Sequence, residues 1–422
     1  MVLAGKIIKN FIKHFGLYSI SLSLPKIAGF IVLPFLTFYL SVEDFGHLNY
    51  FLLINTFAII IVGSGLDTIL IQKIKEFNED FYSFLNICFQ IFLTTTSLLI
   101  TLLVFLYFFF PSLFGTIKSN LFFYFSINFL LAILYNLNQV INTFFQLNKN
   151  PLQIFKFQII LSITIIFFTI AFLKFFNIGW YSRIFGILLA FFLVFIIFVK
   201  KFKFKILFNH KNLTNFIKNY IGNSLLIVFS SLLTFYIFSF DKFFINKIFG
   251  IEIFGNYSFG NSLNQFLLFT FVSFNKVLTP IFIALLNDKK INQITTIMFF
   301  ITLIIFLISF IFYFLVINYW TILFDSKFIN FLSFYHYQIL ILITLQLGSM
   351  YSLILVIMNK NKVIFIINFI FTILIILLIT FFNFFSVNQF LNSFFILTLF
   401  YLLVILFIVF INLFNLKNEN HL

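Results

Sequence analysis

NFIKHFGLYSISLSLPKIAGFIVLPFLTFYLSVEDFGHLNY, residues 10–50, decides how the rest of the chain is read. A basic start at Lys13 gives way to an apolar run long enough to cross a bilayer, which takes about 20 residues. One lysine, Lys26, lies well inside that run. The run closes on an acidic stretch, Glu43-Asp44-Phe45-Gly46, read here as a turn. Much of the pattern returns some two hundred residues later.

The composition agrees with a membrane reading. The chain has 422 residues, of which 63% are hydrophobic and 9% charged. A soluble domain carries about 25% charged residues, so this chain cannot cover a water-facing surface. Lipid requires that backbone groups bond internally, and an α-helix does that within one segment. The apolar runs are about 20 residues or longer, which predicts helices and excludes a barrel of short alternating strands. The net charge of +15 does not indicate nucleic acid, because the cations sit in short turns between apolar runs. Cys88 is the only cysteine, so an intrachain disulfide is excluded. Lys6, Lys9 and Lys13 give the start a signal-peptide look. The run that follows is too long for an h-region and lacks a small-residue cleavage pattern, so an uncleaved first helix is expected.

Twelve spans are predicted: 17–40, 47–71, 83–110, 121–147, 152–173, 180–199, 219–240, 254–286, 294–318, 331–358, 363–383 and 391–414. With the N-terminus inside, eighteen lysines fall in inner segments and five in outer ones, namely Lys118, Lys174, Lys242, Lys247 and Lys327. The positive-inside rule then puts both termini in the cytoplasm. The most basic connector, 200–218, also lies inside, where its lysines can meet anionic lipid headgroups. It separates an N-terminal six-helix lobe, 1–199, from a C-terminal one, 219–422. The connectors are too short for a folded soluble domain, and no GxxxxGK[ST] pattern is present.

The lobes repeat one another. Asn10-Phe11-Ile12-Lys13 recurs as Asn215-Phe216-Ile217-Lys218. Glu43-Asp44-Phe45-Gly46 recurs as Glu252-Ile253-Phe254-Gly255, with Tyr50 and Tyr257 following. An even number of helices per lobe gives both the same orientation. The expected fold class is therefore an all-α polytopic membrane protein. Its two six-helix lobes are related by a pseudo-two-fold along the membrane normal, with a cavity between them.

A lysine at the bilayer centre costs about 2.5–3.5 kcal/mol, so it faces a partner or a wet cavity. Lys26 shares a face with Ser19 and Ser23, and Pro25 beside it frees a backbone carbonyl. Lys276 has a similar depth in the eighth span and shares a face with Asn261 and Gln265. The fourth span shows another polar face: Asn128, Tyr135, Gln139, Asn142 and Gln146. Two accounts fit. Either spans one, four and eight line a polar cavity holding both lysines, or these groups are interhelical hydrogen-bond glue, with the lysines paired to Asp67 or Asp241. Asp67 and Asp241 are helix-end charges or coupling-ion positions, and Arg183, near an outer helix end, is expected to snorkel. The histidines lack metal-ligand spacing and no Ser-His-Asp set can be assembled, so neither a metal site, a cofactor nor an enzyme is expected.

LPFLTFYLSVEDFGHLNYF, residues 33–51, resembles the first-helix signature of Wzx-type polysaccharide-lipid flippases, and DKFFINKIFGIEIFGNYS, residues 241–258, resembles the matching signature after their seventh helix. GLDTILI, residues 65–71, is similar to the end of their second helix. Two departures stand out: Phe38 where the family often has a basic residue, and Phe384-Phe385-Ser386-Val387 in place of a Gly-Ala-rich turn. The resemblance implies a two-lobed fold shared with multidrug exporters. It also implies translocation of undecaprenyl-diphosphate-linked oligosaccharide, such as an O-antigen unit, across the bacterial inner membrane by alternating access. A coupling ion, H+ or Na+, and glycan-assembly proteins are the implied partners beside membrane lipids. Lys26 and Lys276 would meet the diphosphate. A cation or drug exporter of the same superfamily would place acidic groups in the cavity, and the carboxylates here lie at helix ends. An O-antigen polymerase or ligase would carry a large outer loop, and the outer connectors are short.

Overall fold

The computed structural model describes residue 21 and residues 23–66, 69, 81–109, 121–148, 150–202, 210–288, 290–358, 360–382 and 384–418. Among them run twelve long helices. These are α1 (Ser23–Tyr39), α2 (Val42–Gly63), α3 (Phe81–Phe109), α4 (Leu121–Leu147), α5 (Pro151–Ala171) and α6 (Tyr181–Phe202). They continue as α7 (His210–Phe249), α8 (Ile251–Asn287), α9 (Ile291–Tyr319), α10 (Leu332–Ile357), α11 (Asn361–Phe381) and α12 (Val387–Asn418). Among the described residues, ten helices are long and apolar enough to cross a membrane. α1 is apolar but shorter in its described part, and α8 is long but rich in Asn, Ser and Gln. The chain is an all-α, multi-pass membrane protein, as its apolar runs required.

Local chemistry explains where helices begin. The Ser41 hydroxyl accepts a hydrogen bond from the Asp44 N–H at 3.0 Å, capping α2, and Glu43 and Asp44 place negative charge against its positive end. The acidic stretch expected as a turn is therefore the first turn of a helix. The same holds for its repeat. Gly250, at φ 88°, makes the break that ends α7, and Glu252 lies in the first turn of α8. α5 starts on Asn150, whose side chain accepts from the Gln153 N–H at 3.4 Å, with Pro151 in the first turn. α12 starts on a reciprocal cap: Ser386 Oγ accepts from the Gln389 N–H at 3.3 Å, and Gln389 Oε1 accepts from the Phe385 N–H at 3.2 Å. The Ser386 segment that departs from the family pattern thus has its own way of starting a helix.

Both ends of α7 differ from expectation. α7 was expected over 219–240 and runs from His210 to Phe249. Lysines mark the water boundary and carry good helix propensity, so Lys242 and Lys247 do not end the helix. Asp241 consequently sits about two turns inside α7, eight residues from its end, and not at a helix terminus.

Contacts divide the chain into two units. The first comprises Met1–Val32 and Leu48–Leu232, the second Leu33–His47 and Leu233–Leu422. In the first unit α5 lies along α6. Its core joins α2 to α6 through Phe84, Leu85, Phe92, Ala132, Phe157 and Phe198, each at most 3% exposed. In the second unit α10 lies along α12, with Phe259 among Phe328, Phe324 and Phe331 at ring separations of 4.9–5.4 Å. Outside these cores, α9 leaves Phe299, Phe300, Phe306, Phe310 and Phe314 exposed. Such a surface is stable against acyl chains and not against water.

Candidate functional site

Polar side chains inside the apolar helices are where chemistry can reside, and each unit holds its own set. In the first unit the polar face of α4 divides between two neighbours. Asn55 Nδ2 on α2 donates to the Asn128 carbonyl at 2.9 Å, and Asn136 Nδ2 donates to the Ile59 carbonyl at 3.0 Å. Gly63 makes room for that contact, since a Cβ there would lie 2.6 Å from Asn136 Oδ1. Toward α5, Gln158 Nε2 donates to Asn142 Oδ1 at 3.1 Å, with both residues buried. Gln139 is half-buried and donates to the Tyr135 hydroxyl one turn away at 2.8 Å. Asn142 therefore holds helices together, the second of the two accounts given for it, whereas Asn128 lends only its backbone carbonyl, its own side chain donating to the Tyr124 carbonyl within α4 at 3.0 Å. Each such bond contributes about 0.6 kcal/mol in a membrane.

Lys26 projects from α1 as an exposed side chain without a hydrogen bond or ion pair among the described residues. Ser23 beside it is buried. Ser19 and Asp67 lie outside the described residues, as does the side chain of Lys276 on α8.

Arg183, the only arginine, does not snorkel. It is 9% exposed, and its Nη1 donates to Thr169 Oγ1 at 3.3 Å. Gly29 of α1 leaves space for it, with Arg183 Nη2 3.4 Å from where a Cβ would be. A planar guanidinium presents its donors in a fixed fork, which suits a fixed hydroxyl such as that of Thr169 better than the flexible ammonium of a lysine would. Gly186, whose Cβ would lie 2.5 Å from Thr169 Oγ1, brings α6 against α5 at this point.

In the second unit the Asp241 carboxylate, 4% exposed, accepts a hydrogen bond from the Tyr257 hydroxyl. No cation lies within ion-pair distance of Asp241 among the described residues. Its second oxygen and the nearby Asn261 Nδ2 are both buried without a hydrogen-bond partner among the described residues. Gln338 Nε2 on α10 donates to the Tyr257 carbonyl at 2.7 Å, and the Tyr335 hydroxyl donates to Asn264 Oδ1 at 2.9 Å. A separate chain links Tyr401 to Asn368 Oδ1 at 3.0 Å and Asn368 Nδ2 to Thr234 at 3.4 Å. Asn261 is half-buried and Gln265 exposed. Tyr257, Gln338 and Asn136 are among the polar residues that sequence reasoning did not assign to a site. Of these only Tyr257 carried a signal, as the counterpart of Tyr50. The described residues hold no group of three or more His, Cys, Asp or Glu placed to bind a metal ion.

The geometry defines a helical membrane protein with polar seams inside each unit and an ammonium group on α1 that is unpaired among the described residues. The family model described as polysaccharide biosynthesis protein matches residues 11–286, more than half of the chain, and the chain belongs to that family. The Wzx-type resemblance read from residues 33–51 and 241–258 agrees with this. Among solved structures, an inward-facing multidrug resistance MATE family transporter of the MOP superfamily is similar over 95% of this chain and 99% of its own, with TM-score 0.68 and 13% identity. An outward-facing transporter of the same description is similar over 96% of each chain, with TM-score 0.60 and 12% identity. The fold is therefore the one these transporters have. No curated protein matches the chain.

Proposed function

We propose that this protein is a flippase that moves undecaprenyl-diphosphate-linked oligosaccharide, of O-antigen or a similar kind, across the bacterial inner membrane by alternating access. The observation that carries the reading is the polysaccharide-family match over residues 11–286 on a chain with a transporter fold. The chemistry supports it. A diphosphate brings negative charge into the membrane, where a cation compensates for lost hydration. Lys26, exposed and unpaired among the described residues, is such a cation, and Lys276 is proposed as the second. Gln139 and Gln265 are exposed enough to bond sugar hydroxyls, Asn261 is proposed with them, and Asn142 contributes through its bond to Gln158. Asp241 is the proposed coupling-ion position, H+ or Na+, with Asp67 as a second candidate. Arg183 is a structural charge held by Thr169. In this reading the chain forms two six-helix lobes, 1–199 and 219–422, joined by the basic segment 200–218. Both termini lie in the cytoplasm, and no cofactor or catalytic step is needed.

Deleting the gene tests this directly. Cells should lose surface glycan and accumulate lipid-linked units on the cytoplasmic side, and the intact gene should restore both. Normal surface glycan in the deletion strain contradicts the proposal. The fold likeness to multidrug transporters favours a second reading, export of cationic compounds. It predicts dye accumulation in the deletion strain with glycan unaffected.

A further inference from the structure

Within the second unit, α9 and α10 each turn a stripe of side chains toward the same gap. Phe306, Ser309 and Tyr313 supply it from α9, and His336, Ile339 and Ile343 from α10. Both sets have the i, i+3, i+7 spacing of one helix face. They line a cavity of about 240 Å³. A serine between two aromatic side chains leaves this room on α9. The floor is closed, with Ser309 1% exposed and Ile339 and Ile343 buried. The rim is open, since Phe306 and His336 are exposed and Tyr313 is half-buried. Phe306 belongs to the exposed apolar surface of α9 that is stable against acyl chains, so the cavity opens toward lipid.

The lining changes in character along the helices. At 1.5 Å per residue, His336 lies about 6 Å from the start of α10, and Tyr313 about 9 Å from the end of α9. Ser309 lies about 15 Å and Phe306 about 20 Å from that same end of α9. Polar groups therefore cluster toward the α9–α10 connection, and the far end is apolar. A glycerophospholipid loses polarity in the same order: phosphate, ester carbonyls, acyl chain. Ser309 adds a separate observation. Its Oγ is buried and has no hydrogen-bond partner among the described residues. Other hydroxyls of α9 turn back on their own helix: Thr296 donates to the Asn292 carbonyl and Thr302 to the Met298 carbonyl, each at 2.8 Å. Ser309 makes no such bond, and a buried hydroxyl is costly to leave unpaired. Its apolar surroundings favour an uncharged acceptor. An ester carbonyl is one. A polyprenyl chain carries none along its length, and its phosphates are charged and terminal. We propose that the α9–α10 cavity binds a glycerophospholipid, with the acyl chain along Phe306 and Ile343. The Ser309 hydroxyl donates to an ester carbonyl, and Tyr313 and His336 meet the phosphate. The proposal rests on the chain's being a membrane protein and not on what it transports.

Native mass spectrometry of the full-length protein in detergent, titrated with dioleoylphosphatidylethanolamine, tests this. One saturable adduct should form. The diether analogue of the same lipid lacks both carbonyls and should bind about fivefold more weakly, the worth of one neutral hydrogen bond. Ser309→Ala should bring the diester down to the affinity of the diether and leave the diether unchanged. Equal affinity for diester and diether in the unaltered protein overturns the proposal, and that comparison needs no variant. Ile343→Phe narrows the cavity and should remove the adduct. An adduct that Ile343→Phe leaves at full strength places the lipid elsewhere and overturns the site. Undecaprenyl phosphate that displaces the diester at equal concentration assigns the cavity to a polyprenyl chain and also overturns it.

Discussion

Tyr257 on α8 donates its hydroxyl hydrogen to the buried carboxylate of Asp241 on α7, sixteen residues back across the Gly250 break. The pair ties the last turns of one long helix to the next, and it supplies the only observed side-chain hydrogen-bond donor to Asp241 among the described residues. Hydrogen bonds to charged groups contribute about 1.5–3 kcal/mol. Tyr257→Phe should therefore lower stability by about that amount, read as a reduced melting temperature in detergent. Asp241→Asn should cost less, because an amide oxygen still accepts from the tyrosine. A double variant should lose less than the sum of the two, since both changes break one interaction.

Gly63 and Asn136 make a second close pair, between α2 and α4. Gly63→Ala puts a methyl group 2.6 Å from Asn136 Oδ1. Overpacking of this kind costs about 1–3 kcal/mol. The loss should be largely relieved when Asn136→Ala is added, because the opposing atom belongs to a side chain that can be trimmed. Thermal unfolding of the single and double variants measures it. Equal destabilisation in both would show that the glycine is needed for another reason.

Arg183 relies on Thr169, at 3.3 Å. Thr169→Val keeps the volume and removes the acceptor, leaving a buried guanidinium with one bond fewer. A stability loss of about 1.5–3 kcal/mol is expected. Arg183→Met should be tolerated better than Thr169→Val, because a well-packed neutral side chain avoids burying an unpaired charge. The order of the two melting temperatures checks this.

Lys26 tests substrate binding apart from stability. It is exposed and makes no bond among the described residues, so Lys26→Ala should leave melting temperature and membrane abundance unchanged. Surface glycan assembly should fall several-fold, and Lys26→Arg should restore part of it by returning the charge. Full assembly in Lys26→Ala would remove this lysine from the binding model.

The sequence revealed the membrane helices plainly because apolar length is a strong signal in a chain with so few charges. All twelve expected spans overlap a helix. Helix ends were less legible, for a physical reason. Charge marks where water begins, while backbone geometry and capping mark where a helix stops. Glu43 and Asp44 looked like a turn and proved to be the negative first turn of α2, capped by Ser41. Lys242 and Lys247 looked like a loop and proved to be helical. The polar face of α4 was visible as spacing, but spacing cannot say that Asn136 meets Ile59 on α2 while Asn142 meets Gln158 on α5. The repeat of Glu43-Asp44-Phe45-Gly46 was visible, whereas the close approach of Gly46 to Ile251 and of Gly255 to Val42 needs both copies in space. Arg183 deceived for a similar reason. Its position near a helix end suggested escape to water, and only the Gly29 and Gly186 gaps beside it show room for burial.

Reconstitution of the purified protein into liposomes with a labelled undecaprenyl-diphosphate oligosaccharide measures the central claim most directly. A membrane-impermeant glycosidase or lectin added outside reads how much substrate has crossed. The account predicts protein-dependent crossing that falls several-fold with Lys26→Ala at equal protein density. Crossing no faster than in protein-free liposomes, together with protein-dependent uptake of a cationic dye, would contradict it.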